Sequence, residues 1–576
     1  MQFGVSVMMP ELHAAIDSAR RTDTSRIPAE MARGESNRPA ASVLDLGSNS
    51  VKLSHYTMDA HNDFKLYHQR SVRLRLFEGL KGGVMQPEYV DRTVETLRLF
   101  REAIDFEGIR HVVAVATSAI RDAKNRRDIV DRIRQETGLD FKILSDRDEA
   151  LYSYTGAVRM LHIPSVLFFD IGGGSLEVVT AKSYKVRGAH SFPLGSLRLT
   201  QKFAEDPKYE DVDFEAMKKY IGKALPSLKD LEVKDGELYS AGDYGGAGGD
   251  NGGGGGSDDD DGDDRSGNDV RDGAGRPAVA MVGVGGVLRS LTKYVQDAKG
   301  YPLSKTHNYQ LSMTDLEDIW KKIRDMPPDK IAKIPTINSS RADTLRASVL
   351  VIMSFLKSVK CERLTVSAHG LREGALALSI QHPAAFKSQR IDEQHIRETV
   401  LSAVSPSSAL VSSKIDALVE LLLSANLLHP VDRPVIRYAL EQTDRLRSFR
   451  DISNILYTIM DDDSHLSHGD QLVAALALMH LRKRRKADIN LLNFGSIARP
   501  YDKKRIRRMS AIVLAYQILE KSSADMAPEF GKGGSVTLAV HAPSGSRFPH
   551  LMFQEACSQL EGAFGIPFRP DLRVVG

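Results

Sequence analysis

The spacing of apolar residues divides the chain into a mixed strand–helix part and a helical part. Val43 to Tyr56 and Phe64 to Leu76 read as consecutive strands, and Pro87 to Phe106 as a helix whose first residue has the φ a helix start needs. His111 to Ala116 is a buried-type strand, and Thr117-Ser118 is placed to cap a helix carrying Arg121. Phe141 to Leu144 is a short strand. The helix after it, running to about Met160, carries Asp146, Asp148 and Glu149 in its opening turn, where the dipole favours carboxylates. Strands around Val166 to Val179, a helix from Phe214 to Lys229, a strand at Ala278 to Val282, a helix through Tyr294, a helix from Arg341 to Leu356 and a strand at Leu364 to Ser367 continue the alternation. Beyond about residue 385 the period is helical, until Ser535 to Val540, Leu551 to Gly565 and Phe568 to Val575 read β–α–β.

Two stretches lack any such period. Residues 1–40 mix Arg, Ser, Pro and Glu, with a short helical stretch at Ala14 to Arg20, and are expected to be a disordered extension. Residues 241–276 hold glycine runs and then Asp258 to Asp261, Asp263 and Asp264. With almost nothing apolar to bury, they read as a disordered insertion between elements.

Composition narrows the class. The length calls for several domains, and 42% hydrophobic with 27% charged residues is ordinary for a globular protein. A formal net charge of +3 excludes a general nucleic-acid binder, so no specific nucleic acid is expected. Two distant cysteines, Cys361 and Cys557, exclude a disulfide framework or a cysteine zinc site and point to a reducing cytoplasm. No apolar run reaches the ~18–20 residues of a membrane span, and no signal peptide is read, so no membrane partner is expected. Two basic runs, Arg482 to Lys486 and Lys503 to Arg508, read either as solvated faces or as a track for a polyanion.

The candidate chemistry lies in Val166-Leu-Phe-Phe-Asp170-Ile-Gly172-Gly173-Gly174-Ser175-Leu-Glu177-Val-Val179. Strand, aspartate, glycine turn and strand make a hairpin whose amides suit a phosphate, with the glycines expected to supply positive φ and close approach. Asp170 and Glu177 are oxygen ligands suited to Mg²⁺. The pattern recurs at Val43-Leu44-Asp45-Leu46-Gly47-Ser48-Asn49-Ser50-Val51-Lys52, where Asp45, Gly47, Ser50 and Lys52 superimpose on Asp170, Gly172, Ser175 and Glu177. A duplicated domain with two turns facing across a cleft describes a polyanion site. There is no GxxxxGK[ST] string, which excludes a P-loop kinase.

These strings resemble the phosphate motifs of the exopolyphosphatase / guanosine pentaphosphate phosphohydrolase (Ppx/GppA) family. Further stretches agree in order: Ala116 to Asn125, Ile143 to Ala150 and Gly370 to Gly374. The resemblance implies two ribonuclease H-like α/β lobes of the actin-like ATPase superfamily, over 41–160 and 161–380. A degenerate helical HD-like domain over 385–500 and a small α/β module over 501–576 would follow. No His-Asp dyad appears near Ala439, and His465, His468 and Asp470, after Asp461 to Asp463, read as a polar interhelix loop rather than a metal set.

The resemblance also assigns roles. Glu149 would be the general base on water, and Arg121 would clamp the phosphoryl group. Gly47, Ser48, Asn49, Ser50, Gly172, Gly173, Gly174, Ser175, Gly195 and Ser196 would hold phosphates. Arg73 is either a cleft residue or an exposed strand charge. Mg²⁺, or Mn²⁺ in its place, would sit near Asp170 and Glu177, with Asp45 reaching it through water. Arg372 and Glu373 are expected as a structural ion pair. Val287 stands where relatives usually have Thr, which removes a donor from the nucleotide side. The implied activity is a cytoplasmic, homodimeric phosphoanhydride hydrolase acting on inorganic polyphosphate. Its alternatives are a guanosine pentaphosphate (pppGpp) 5′-phosphohydrolase and a non-catalytic sensor of polyphosphate or (p)ppGpp.

Overall fold

The computed structural model describes residues 40–58, 64–205, 211–227, 230–231, 233, 238–239, 279–404, 409–445, 452–482, 494, 496–497, 502–522, 524–531, 534–544 and 548–575. The extension expected over 1–40, apart from Ala40, lies outside them, as do the 241–276 insertion and Lys483 to Lys486 of the first basic run.

The first lobe contains β1 (Ala40–Leu46), β2 (Ser50–Met58), β3 (Phe64–Arg73), α1 (Pro87–Phe106), β4 (His111–Ala116), α2 (Arg126–Thr137), β5 (Lys142–Ile143) and α3 (Asp146–Leu161). Its sheet runs β3-β2-β1-β4-β5. The β1–β2 and β2–β3 pairs are antiparallel, while β1–β4 and β4–β5 are parallel. Arg121 closes a single helical turn, Ser118–Arg121, and the longer α2 follows it. Sequence pattern missed α2 because only Ile129, Ile133 and Thr137 are buried on it, too thin a stripe to stand out.

The second lobe repeats the plan. It contains β6 (Val166–Ile171), β7 (Leu176–Lys182), β8 (Lys185–Phe192), α4 (Ser196–Phe203), α5 (Phe214–Ala224), β9 (Val279–Val284), α6 (Gly286–Ala298), β10 (Tyr309–Ser312), α7 (Met313–Ile323), α8 (Leu345–Ser358), β11 (Arg363–Val366) and α9 (Leu371–Gln381). The order is β8-β7-β6-β9-β11-β10, with Leu238–Tyr239 pairing along β9. Without β10, order and strand directions match the first lobe, which is the doubled ribonuclease H-like arrangement of actin-like ATPases. Helix α5 stops at Ala224, short of Lys229, because Pro226 follows and disfavours helix before it. Helix α8 starts at Leu345 rather than Arg341, after a 3₁₀ turn at Ser339–Arg341.

Helices α3 and α9 lie between the sheets and share one apolar core with strands of both lobes, including Val43, Val115, Phe168 and Val282. A Cβ on Gly156 would overlap the Gly370 carbonyl, and one on Gly374 would overlap the Tyr152 carbonyl. The two backbones therefore touch only because both positions are glycine.

Helix α10 (Glu393–Val404) adds Ile396 and Val400 to that interlobe core. Then come α11 (Ala409–Ser424), α12 (Asp432–Arg445), α13 (Ile452–Asp461), α14 (His468–Arg482) and α15 (Asp502–Ser522). Strands β12 (Asp525–Phe530), β13 (Val536–Pro543) and β14 (Phe568–Val575), with α16 (His550–Phe564) before β14, complete the chain. The tail is thus β–β–α–β; β12 escaped the sequence reading because it is an edge strand interrupted by Pro528. The packing has no break at the expected boundary near 500: residues from Ile415 to Phe568 form one core. Within the second basic run, Arg505 is buried and pairs with Asp432 and Asp470, both at 2.8 Å, and Arg508 stacks over Phe564. Only Lys503, Lys504 and Arg507 of that run face solvent fully. Among the described residues no helix is long and apolar enough to cross a membrane.

Candidate active site between the lobes

The site begins with two hairpins of one design. In β1–β2, Asp45 stands directly opposite Lys52; in β6–β7, Asp170 stands opposite Glu177. Residues opposite each other in an antiparallel pair share a face. One wall therefore carries an ion pair, Lys52 Nζ to Asp45 at 3.0 Å, and the other carries two acids. Each turn is closed the same way: the Gly47 amide donates to the Ser50 carbonyl at 3.1 Å, and the Gly172 amide to the Ser175 carbonyl at 3.0 Å.

Carbonyls of both turns are tied down by neighbouring amides. Asn49 O accepts from the Leu74 and Arg75 amides, and Ser48 O from Phe77. Gly172 O accepts from Ser196, and Gly173 O from Leu197 and Arg198. With these carbonyls satisfied, an anion in the cleft would meet the turn amides other than those of Gly47 and Gly172, which close the hairpins. One expectation is corrected here. Gly47, Gly172, Gly173 and Gly174 all have negative φ, so their contribution is space, not left-handed backbone.

The turns face each other at close range. A Cβ on Gly173 would lie 3.5 Å from Ser48 Cβ and 3.8 Å from Asn49 Cβ, and a Cβ on Gly174 would overlap Ser118 Oγ. Ser48 Oγ and Ser118 Oγ are hydrogen-bonded at 2.6 Å. The open cleft is lined by Asp45, Gly47 to Ser50, Glu149, Asp170, Gly172 to Ser175 and Ser196. Gly195 lies behind that lining, where a Cβ would collide with the Gly174 backbone.

Glu149 enters from the first turn of α3, which is capped by Ser145 accepting from the Asp148 amide. Asp148 thus belongs to the cap, its carboxylate accepting from Ser145 Oγ at 2.7 Å. Arg121 lies outside the cleft lining. Its guanidinium donates to Glu149 at 2.6 Å and to the Leu144 carbonyl at 3.1 Å, and pairs with Asp146. Burial pushes the Glu149 carboxyl up to about 7, against the pull of Arg121. Glu177 lies outside the cleft lining, fully buried behind Asp170, and accepts from Ser191 Oγ at 3.1 Å; burial and then the Glu149 and Asp170 charges hold it well above its ordinary range. Asp170 is also raised by burial, although Ser153 Oγ donates to it at 2.8 Å.

Arg73 lies at the lobe junction rather than along the cleft: it pairs with Asp343 of the second lobe at 2.7 Å, and Arg75 reaches the same carboxylate. Sequence reasoning also passed over a group of cations. Lys52, Arg289, Arg341 and Arg372 all line the cleft. Asp45 holds the Lys52 ammonium up, but burial, Arg372 and Arg341 outweigh it and the pKa falls. Burial, then Arg289 and Arg372, lower Arg341 to about 10. Mutual repulsion among buried cations is the electrostatic signature of a site shaped for negative charge. The repeat had marked Lys52, since it occupies the Glu177 position. Arg289 and Arg341 carry no local signal, being brought in by α6 and by the turn before α8.

Arg372 and Glu373 do more than pair with each other, at 3.9 Å. Arg372 donates to Ser54 Oγ at 2.6 Å, and Glu373 accepts from Tyr56 Oη and the Gly370 amide, stitching α9 to β2 of the other lobe. The residues weighed near α14 go separate ways. His465 stacks on His162, His468 bonds Tyr301 Oη and the His307 carbonyl, and Asp470 pairs with Arg505.

Comparison with known proteins bears on this geometry. A sequence model of the Ppx/GppA phosphatase family matches residues 56–245 and 273–382, more than half of the chain. Exopolyphosphatase 1 of Mycobacterium tuberculosis is 35% identical over 169 residues, 28% of this chain and 48% of that protein. The chain thus spans about half the length of these first curated relatives. Exopolyphosphatase 2 of the same species is 23% identical over 357 residues, 59% of this chain and 97% of the relative. Among solved structures, an exopolyphosphatase from Cytophaga hutchinsonii covers 58% of this chain and 96% of its own, at 23% identity and a TM-score of 0.46. The two-lobed core, its paired turns and the match of the family's sequence model agree: the chain belongs to the Ppx/GppA phosphatase family.

Proposed function

We propose that the chain hydrolyses the terminal phosphoanhydride bond of inorganic polyphosphate. The observation that carries this reading is the pair of turns facing each other, with Glu149, Lys52, Arg289, Arg341 and Arg372 lining the same cleft. Gly47 to Ser50 and Gly172 to Ser175 hold the terminal phosphates through backbone amides and hydroxyls. Glu149 takes a proton from water as the water oxygen bonds to the terminal phosphorus. The bond to the bridging oxygen breaks, orthophosphate departs, and the shortened chain keeps the electron pair. Arg121 acts through Glu149, fixing its carboxylate rather than touching phosphate. Asp170 and Glu177, two adjacent acids raised by burial, suit Mg²⁺, which uses one or two carboxylates together with substrate phosphates. Bound there, with Asp45 reachable through water, it would offset negative charge on the phosphate oxygens.

The Gly285-Gly286-Val287 turn lines the same cleft on the side where the family resemblance would seat the nucleotide of a second substrate, pppGpp, but Val287 offers no side-chain donor there. Arg341 argues for the inorganic chain: it donates to the Gly286 carbonyl at 3.2 Å and fills the space beside that glycine. Purified protein with Mg²⁺, assayed on long-chain polyphosphate and on pppGpp side by side, is expected to release orthophosphate faster from polyphosphate. Turnover of pppGpp alone would reverse the assignment, and binding of either without turnover would make the protein a sensor.

A further inference from the structure

Outside the cleft carboxylates, a second group of ligating side chains converges at the junction of the second lobe and the helical unit. One nitrogen each of His307 and His369 and one carboxylate oxygen of Asp463 all lie within 4.8 Å of one another. We propose that these three residues form a zinc site that ties the helical unit to the wall of the cleft.

The scaffold for it is preset. His307 sits just before β10 and His369 just after β11, neighbouring antiparallel strands in which Tyr309 faces Val366. Their rings meet edge to face with centroids 5.0 Å apart. Asp463 arrives from the loop after α13, and its carboxylate lies 2.9 Å from His369 Nε2. That loop is pinned from both sides: Asn308 donates to the His465 and Leu466 carbonyls, and Lys305 Nζ to the Asp462 carbonyl and Gln471.

The independent observation is an orphaned atom. His307 is fully buried; its Nδ1 accepts the Ala368 amide at 3.3 Å, and its Nε2 has no hydrogen-bond partner. A buried polar atom left without a partner calls for an explanation, and a missing ion is one. Two imidazoles and one carboxylate, leaving a fourth position open, match Zn²⁺, whereas Mg²⁺ takes all-oxygen surroundings. Lys305 and Arg289 are nearby opposing charges; the Lys305 ammonium is already held by Gln471 and the Asp462 carbonyl, and Arg289 donates to the Ala368 carbonyl at 3.2 Å. Ligation through Nε2 requires the ring proton on Nδ1, facing the Ala368 amide donor. Loading therefore opens that 3.3 Å contact and shifts the Ala368-His369-Gly370 segment, which lines the cleft.

The test needs no phosphatase assay and is independent of the substrate. Full-length protein stripped with chelator and titrated with Co²⁺ is expected to develop the visible absorption of a tetrahedral site, saturating at one equivalent and displaced by Zn²⁺. Asp463→Asn and His307→Gln should each weaken Co²⁺ binding at least about tenfold, the least expected when groups around a metal are removed. No band with excess Co²⁺, or an unchanged band in both folded variants, would overturn the site. If either variant fails to fold, anomalous scattering at the zinc edge from crystals of the unaltered protein decides. A peak among the three residues supports the site, and its absence there rejects it.

Discussion

The two phosphate turns share a backbone and differ in almost every side chain, and their opposition explains why. Ser48 and Asn49 of the first turn superimpose on Gly173 and Gly174 of the second. A Cβ on Gly174 would overlap Ser118 Oγ and come within 3.0 Å of Ser48 Oγ, whereas one on Gly173 would rest in ordinary contact with Ser48 and Asn49. A side chain at the Gly174 position would therefore crowd the first lobe; one turn is clothed and the other bare. The strands behind them diverge in charge. Asp45 is neutralised by Lys52, whereas Asp170 faces Glu177, so one wall offers a balanced pair and the other two carboxyls whose ionisation burial opposes. On the proposed reading, the wall with two acids would hold the cation and the wall with Lys52 would meet the phosphates.

The sharpest break of the comparison removes the acid that belongs to neither wall. Glu149→Gln is expected to cut kcat by roughly 10²–10⁴ while leaving substrate binding near its original strength, the range for losing a general base. A rate within a factor of a few of the parent would take Glu149 out of the reaction. The same residue sets the pH response. A base must be ionised, and this carboxyl titrates at about 7, so turnover rises as pH climbs through about 7 and levels off above it. Arg121 pulls that value down, so Arg121→Gln should move the rising limb to higher pH. A limb that stays in place would show that Arg121 does not tune the base.

Exchanging the charges of the walls sharpens the contrast. Glu177→Gln should weaken Mg²⁺ activation by about 10–100-fold, the scale seen when groups around a metal are lost. Lys52→Met should leave the Mg²⁺ requirement alone and raise KM about tenfold, the loss of one charge-assisted hydrogen bond to phosphate. Titrations of activity with Mg²⁺ and with polyphosphate separate the two. Equal shifts in both titrations for both variants would mean that the walls are not specialised.

Much of this was legible along the chain, and the legible part was local. Asp45, Gly47, Asp170 and Gly172 repeat at one spacing, and the turn chemistry they share is written in neighbouring residues. That repeat implies a duplicated domain with facing hairpins, and the family resemblance implies the two ribonuclease H-like lobes. What stayed hidden depends on residues distant in sequence. Arg289 and Arg341 reach the cleft from separate elements, Arg73 finds Asp343 across the lobes, and Asp463 meets His369 only after the helical unit docks. The role of the glycines was misjudged for the same reason. A turn read alone suggests backbone freedom, whereas the constraint on Gly174 is the space taken by Ser118 and Ser48 of the other lobe.

The smallest effects probe that last point most directly. Gly173→Ser copies the first turn onto the second and sets a new Cβ 3.5 Å from Ser48 Cβ, in ordinary contact, with its hydroxyl still to be placed. Gly174→Asn is more severe, since its Cβ would overlap Ser118 Oγ and come within 3.0 Å of Ser48 Oγ, breaking the 2.6 Å Ser48–Ser118 bond. The double change should raise KM about tenfold through loss of ~1–2 kcal/mol of hydrogen bonding and closure, with the fold intact. The converse, Ser48→Gly with Asn49→Gly, strips the clothed wall without crowding anything and should cost only about two- to threefold, from one lost hydrogen bond and a looser turn. Reversed sensitivities, with the bare wall tolerant and the clothed wall not, would mean that the side chains of Ser48 and Asn49 grip phosphate themselves and that the glycines opposite are not shaped by them.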